Sequence, residues 1–298
     1  MIISDDQLAS WKSPAFRNED QLATDTQAAI RSAINNHPQL AALQPRVQPK
    51  GSIKNNTNVR KNSDIDVAII LTSLIACEFT GGANLSSGGL VPYSGISAID
   101  FKNLVGQALN KEFGPDNVDR SGNRVFRIRG SKKVMDADVV PSTGYMFIGP
   151  SIQREGIALI LDNPDGKIHF NYPEQHHVNG VSKNTATGRR YKRAVRIMKQ
   201  IDHKMFEMGY ATKTASHLIE CLVYQVPDTL FNNDLNWRTL IMAICEYLYP
   251  YLSAATEPSD FTRWKEVNGH KYLFGDHQRW TRSDAKTYIE KVYLVTSQ

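Results

Sequence analysis

Cysteine is scarce in this chain. Cys77, Cys221 and Cys245 are the three present, and no two are close enough to form a Cys-x-x-Cys unit. A disulfide framework is therefore not expected, and the three read as small buried apolar residues of a reducing compartment. Long hydrophobic runs are also missing. The longest, from Val67 to Cys77, is interrupted by Thr72 and Ser73 and is too short to span a bilayer. The opening residues MIISDDQLASWKSP lack the basic start and apolar stretch of a signal peptide, so a cytoplasmic protein without a membrane partner is expected. There is no Gly-x4-Gly-Lys-Ser/Thr loop, and Gly81-Gly82 and Gly88-Gly89 do not sit in a strand-to-helix dinucleotide fingerprint. No Ser/His/Asp or Cys/His nucleophile pattern is evident. His176-His177 has no cysteine or acidic cluster at ligand spacing, and reads as a loop or structural pair rather than a zinc site.

What is present is an ordinary folding chain of 298 residues, 41% hydrophobic and 22% charged, sized for one large domain or two lobes sharing a cleft. Its net charge of +5 suits a polyanionic ligand such as a nucleotide, and leaves nucleic acid binding open. Helical spacing from about residue 18 to 36 ends at Pro38, and a second helix is predicted over 98–112. GSIKNNTNVRKNSDIDVAIIL reads as a turn or helix start followed by a buried strand. Residues 80–97 are Gly/Ser-rich and read as a surface insertion, with a flap over the site as the sharper alternative. Strands are predicted at 125–128 and 134–140. After about residue 150 the pattern turns helical, with segments at 189–201, 214–224 and 237–249. In the first of these, Ala194, Val195, Met198 and Ile201 face a core, while Arg189, Lys192, Arg193 and Arg196 read as a solvated basic face. Tyr247, Tyr249 and Tyr251 read as packing residues of this region.

The strongest signal is acidic. Asp64 and Asp66 flank Ile65 at the start of the apolar run, and on a strand residues i and i+2 share a face. Two carboxylates about 4 Å apart repel by roughly 4 kcal/mol at an effective dielectric of about 20. Such a pair stays ionised only with positive charge beside it; otherwise one carboxylate takes a proton. Magnesium answers this economically, because it prefers oxygen ligands and shares them with substrate phosphates. Two such ions about 3.5–4 Å apart can activate a hydroxyl and stabilise leaving pyrophosphate. KVMDADVVP supplies Asp136 and Asp138 on a later strand that can complete the site. Upstream, eleven residues separate Ser52 from Asp64; Gly51 allows close approach of backbone to phosphate, and Ser52 adds a hydroxyl donor.

Gly51-Ser52, Asp64-Ile65-Asp66 and Asp138 together resemble the polymerase-β-like nucleotidyltransferase superfamily. Asp138 matches that family's third acid through its acid-hydrophobic-hydrophobic-Pro ending, which leaves Asp136 accessory or structural. Lys50 departs from the pattern, since an apolar residue usually precedes the glycine; the departure bears on local strand packing rather than on the chemistry. Within the superfamily, Thr57, Arg60 and Ser63 extend a likeness to the bacterial cGAS/DncV-like nucleotidyltransferases, the CD-NTases. RYKRAVRIMKQID and KTASHLIECLVY resemble that group's helical segments, which would make Lys199 and Ser216 triphosphate contacts and place His217 where relatives often stack a tyrosine on the base.

The resemblance implies an α/β (α+β) fold, a polymerase-β-like nucleotidyltransferase sheet with an N-terminal helix and a helical C-terminal lobe. The expected limits are a helical segment at 1–45, a catalytic core at 46–150, and a lobe at 151–298 closing the nucleotide cleft. It also implies a pair of Mg²⁺ or Mn²⁺ ions on Asp64, Asp66 and Asp138, NTP substrates, and a cyclic di- or oligonucleotide product. A role in anti-phage signalling (CBASS) follows, with a cyclic-nucleotide-responsive effector downstream and possible control by a regulatory protein. Transfer to RNA ends, to a small molecule or to a protein, and a non-catalytic nucleotide- or RNA-binding module, are the alternatives. Base identity, linkage and ring size are not specified by these residues.

Overall fold

The computed structural model describes residues 3–14, 17–59, 64–254 and 264–298, with backbone alone at 17–20. Arg60 and Ser63 lie outside the described residues. The chain runs α1 (Asp5–Trp11), α2 (Arg17–Asn35), α3 (Pro38–Leu43), β1 (Arg46–Lys50), α4 (Gly51–Lys54), β2 (Ile65–Phe79), α5 (Ala98–Phe113), β3 (Val118–Asp119), β4 (Phe126–Ile128) and β5 (Ala137–Gly149). It continues with β6 (Ile152–Leu159), β7 (Phe170–Asn171), α6 (Pro173–Ala186), α7 (Arg190–Glu207), α8 (Ser216–Gln225), α9 (Asp228–Asn232), α10 (Trp237–Ser253) and α11 (Arg282–Thr296). Two compact units result. One comprises Phe16–Lys54 and Arg60–Pro173; the other comprises Met1–Ala15, Asn55–Val59 and Glu174–Gln298.

The first unit is a mixed sheet backed by helices, the α/β class that the sequence implies. Its strand order is β1-β2-β5-β4-β3, with β6 on β5 and β7 on β6. β1 runs antiparallel to β2, and β2 runs parallel to β5. Alternation along β2 decides its two faces. Ile65, Val67, Ile69 and Leu71 are buried in a core with Ile30, Ile34, Phe101, Val105 and Leu109 of α2 and α5. Ala68 and Ile70, on the face of Asp66, join only Ile157 in a small cluster. Pro38 does end the pattern of α2, and then opens α3 at its first turn, where its missing N–H costs nothing.

The helical pattern expected after residue 150 begins only with α6. β6 and β7 come first, because the C-terminal half of β5 offers an unpaired edge from Ser142 to Gly149 that IQREGIAL fills despite its polar residues. Residues 80–97 form a surface loop, as the sequence suggests. Asn84 and Ser87 bond each other there, around a 3-10 turn at Ser86–Gly88, and Gln153 of β6 donates to the Ser87 carbonyl.

The second unit is helical. Val195, Met198 and Ile201 of α7, Leu218 and Leu222 of α8, Ile241 and Ile244 of α10, and Ile289 and Val292 of α11 build its core. α10 runs one turn beyond Tyr249, with Pro250 inside that last turn. No helix among the described residues is long and apolar enough to cross a membrane.

Candidate active site

Strand register puts four charges in one row across the sheet of the first unit. Lys50 of β1 faces Asp66 of β2, Asp66 faces Asp138 of β5, and Asp138 faces Arg127 of β4. Directly opposed residues on neighbouring strands present their side chains on the same face. The row therefore reads plus, minus, minus, plus. Lys50 Nζ lies 3.4 Å from Asp66 Oδ1, and Arg127 Nε lies 3.8 Å from Asp138 Oδ1. Asp64 stands exposed, one residue before β2.

The repulsion within this row is visible at Asp138. Burial, then the charges of Asp66 and Asp64, raise its carboxyl above the ordinary value, while Arg127 and Lys50 work in the other direction. Among the described residues no three His, Cys, Asp or Glu side chains are already grouped as an ion cage. Asp66 and Asp138 are each paired with a neighbouring cation instead. As a donor set, half-exposed carboxylate oxygens under mutual repulsion fit a hard divalent cation such as Mg²⁺ or Mn²⁺.

Gly51 leaves room for Asp66. Its φ is +73°, a left-handed conformation that disfavours side chains, and a β-carbon there would fall 2.0 Å from Asp66 Oδ2 and 2.9 Å from Asp66 Cβ. Ser52 follows, half-buried, in the single turn of α4. Asp136 does not enter β5. Its Oδ1 accepts from the Gly130 N–H at 2.6 Å and its carbonyl accepts from the Ile65 N–H at 2.9 Å, which is a structural role.

In the helical unit, Lys199 sits in a buried polar cluster. Its ammonium donates to Glu220 Oε2, to the Thr57 carbonyl and to Thr57 Oγ1, each at 3.2 Å. Thr57 Oγ1 donates to Glu220 Oε2 at 2.9 Å, and His176 Nε2 lies 2.9 Å from Glu220 Oε1. Burial opposes the charge on Glu220, but the Lys199 ammonium and the His176 hydrogen bond outweigh it and hold the carboxyl well below its usual range. The same helices grip the rest of this segment. His177 Nδ1 bonds Asn55 Oδ1, Arg196 donates to the Asn56 carbonyl, and Gln200 donates to the Val59 carbonyl. The basic face of α7 is thus not uniformly solvated: Lys192 and Arg196 are buried, and the Arg196 guanidinium donates to the carbonyls of Lys12 and Asn56. Ser216 is exposed at the start of α8. His217 Nε2 lies 3.2 Å from Glu266 Oε2, and its ring stacks 5.3 Å from that of His176.

Residues 178–296 match the family model of the cGAS/DncV-like nucleotidyltransferase C-terminal helical domain. Over 94% of its length the chain is 34% identical to the cyclic dipyrimidine nucleotide synthase CdnE of Legionella pneumophila, covering 93% of that protein. The chain belongs to the bacterial CD-NTases. It is also 30% identical to the CdnE cyclic dipyrimidine nucleotide synthase of Cecembia lonarensis, over 96% of both chains. Among solved structures, the Rhodothermus marinus CdnE c-UMP-AMP synthase with Apcpp and Upnpp matches at a TM-score of 0.82 and 26% identity, covering 97% of this chain and 95% of that one. The protein is accordingly an enzyme, a nucleotidyltransferase.

Within this CD-NTase the expected acids and Gly51 lie together in the sheet unit, while Lys199, His217 and Thr57 belong to the helical unit. Spacing alone did not expose Arg127, His176 or Glu220 as contributors. Lys50 was visible as a departure from the family pattern, and the β1–β2 register gives it a partner. Gly51→Ala is expected to lower turnover about a hundredfold, because the new methyl pushes the Asp66 carboxylate out of its position. Steady-state kinetics beside a thermal melt checks this; undiminished turnover would show that the placement of Asp66 is not fixed by Gly51.

Proposed function

We propose that this CD-NTase condenses NTPs into a cyclic di- or oligonucleotide with release of pyrophosphate, acting in anti-phage signalling through a cyclic-nucleotide-responsive effector. The observation that carries the reading is the in-register pair Asp66 and Asp138, with Asp64 beside it, in a chain matched nearly end to end by cyclic nucleotide synthases.

Asp64, Asp66 and Asp138 would hold divalent ions, which when bound acidify the attacking ribose hydroxyl and neutralise the triphosphate. The carboxylates fix where that charge sits before the substrate arrives, so catalysis is positioning plus charge neutralisation. The hydroxyl oxygen bonds to the α-phosphorus, the bond to the bridging oxygen breaks, and pyrophosphate leaves. A ring closes when the linear product rebinds with donor and acceptor roles exchanged. Gly51 and Ser52 are the proposed phosphate contacts in the sheet unit. In the helical unit, Ser216 and His217 are proposed for triphosphate and base. Lys199 reaches a phosphate only by exchanging Glu220 and Thr57 for it.

The test is a primer-free incubation with all four NTPs and Mg²⁺ or Mn²⁺, followed by phosphatase treatment and mass spectrometry. A phosphatase-resistant cyclic product is expected, and its mass names the bases. Product only when an RNA primer, a small molecule or a protein acceptor is added would overturn cyclisation in favour of transfer to that acceptor.

A further inference from the structure

Lys50 occupies a position that the chemistry of the site makes consequential. It ends β1, an edge strand paired with β2, and the register points its ammonium at Asp66 Oδ1, 3.4 Å away. The other carboxylate oxygen, Oδ2, is backed by Gly51. Lys50 thus meets one oxygen of Asp66, while the absence of a side chain at Gly51 leaves room for the other. The two cations of the row are not equivalent. The Arg127 side chain is 69% exposed, so its contact with Asp138 is screened by water, whereas that of Lys50 is 18% exposed and its contact with Asp66 is less screened. A hard divalent ion needs the same carboxylate oxygens.

We propose that Lys50 is a resident competitor for the divalent ion at Asp66, so that the ion binds by displacing its ammonium. This rests on the metal-dependent reading of the acids. Before the ion arrives, Lys50 neutralises Asp66 and keeps the carboxylate aimed. Once displaced, it remains beside the row as a positive charge. Its removal therefore strengthens ion binding, the reverse of what loss of a metal-supporting residue does.

The experiment is a Mn²⁺ titration of the full chain, read by the electron paramagnetic resonance signal of free Mn²⁺, with thermal melts alongside. Lys50→Met is expected to bind Mn²⁺ about three- to tenfold more tightly than the wild type, the scale of one part-buried ion pair. Lys50→Arg, which keeps the charge, is expected to gain nothing. Lys50→Gln carries the same expectation as Lys50→Met should the latter fail to fold. Equal or weaker binding by folded Lys50→Met or Lys50→Gln would overturn the proposal. Asp66→Asn separates the two readings. If it loses Mn²⁺ binding while the Lys50 variants are unchanged, only the competitor role fails. If it binds as well as the wild type, the metal-dependent reading fails too.

Discussion

Asp66→Asn is expected to reduce product formation by at least about a thousandfold, some 4 kcal/mol of transition-state stabilisation, and to leave the fold intact. Asparagine has the shape of aspartate but neither its charge nor its affinity for a hard cation. The stability side follows from the charge row. Lys50 loses a part-buried ion pair, worth about 1 kcal/mol, while the repulsion between Asp66 and Asp138 disappears. The two nearly cancel. Asp138→Asn goes further. Its carboxyl lies above the ordinary value in the folded protein, so ionisation there opposes folding, and the penalty grows as pH rises through that range. Removal of the charge is expected to hold or raise the melting temperature at neutral pH while abolishing turnover. A marked loss of stability in either variant would mean that the carboxylates are structural rather than catalytic.

Glu220→Gln is expected to do the opposite: a large loss of stability from a residue outside the acid row. The change leaves the Lys199 ammonium buried among Thr57 and a neutral amide. Breaking a buried pair in this way costs about 3 kcal/mol, which lowers the melting temperature by about 6–12 °C in a unit of this size. The pH dependence has a definite sign. Glu220 sits well below its ordinary value of 4.5 in the folded protein, held there by Lys199 and His176 against the cost of burial. Its stabilising contribution is fully present above that ordinary value and fades as pH falls below it. Melting curves for wild type and Glu220→Gln should therefore keep their full separation down to about pH 4.5 and draw together only as the pH falls below it, towards the lowered value in the folded protein. A gap that stays constant well below pH 4.5, or one that closes already above it, would contradict the ion-pair explanation.

The acidic strand was legible because its evidence is local. Asp64, Ile65 and Asp66 report a two-residue period, and Gly51-Ser52 stands at a fixed distance upstream. α7 was legible for the same reason, since Val195, Met198 and Ile201 repeat at helical spacing. What needed the fold was everything set by pairing between distant segments. The choice of Asp138 over Asp136 came from the likeness of its acid-hydrophobic-hydrophobic-Pro ending to the family's, but that Asp138 stands directly opposite Asp66 is a matter of register, and a slip of one residue would put every side chain of β5 on the other face. Arg127 lies in a strand of three residues whose alternation says nothing about which acid it meets. The expected solvated face of α7 failed at Lys192 and Arg196, both buried, because periodicity shows that a basic stripe exists but not what packs over it, such as the Lys12 and Asn56 carbonyls that accept from Arg196. β6 and β7 escaped notice because their order comes from the open edge of β5 and not from their own composition.

The most direct test of metal-dependent transfer at this row is anomalous diffraction from crystals grown with Mn²⁺ and a non-hydrolysable NTP analogue. Peaks are expected within about 2.0–2.2 Å of carboxylate oxygens of Asp64, Asp66 and Asp138, with the Lys50 ammonium moved off Asp66. Ordered nucleotide with no peak at these three residues, or with ions bound elsewhere on the chain, would contradict it.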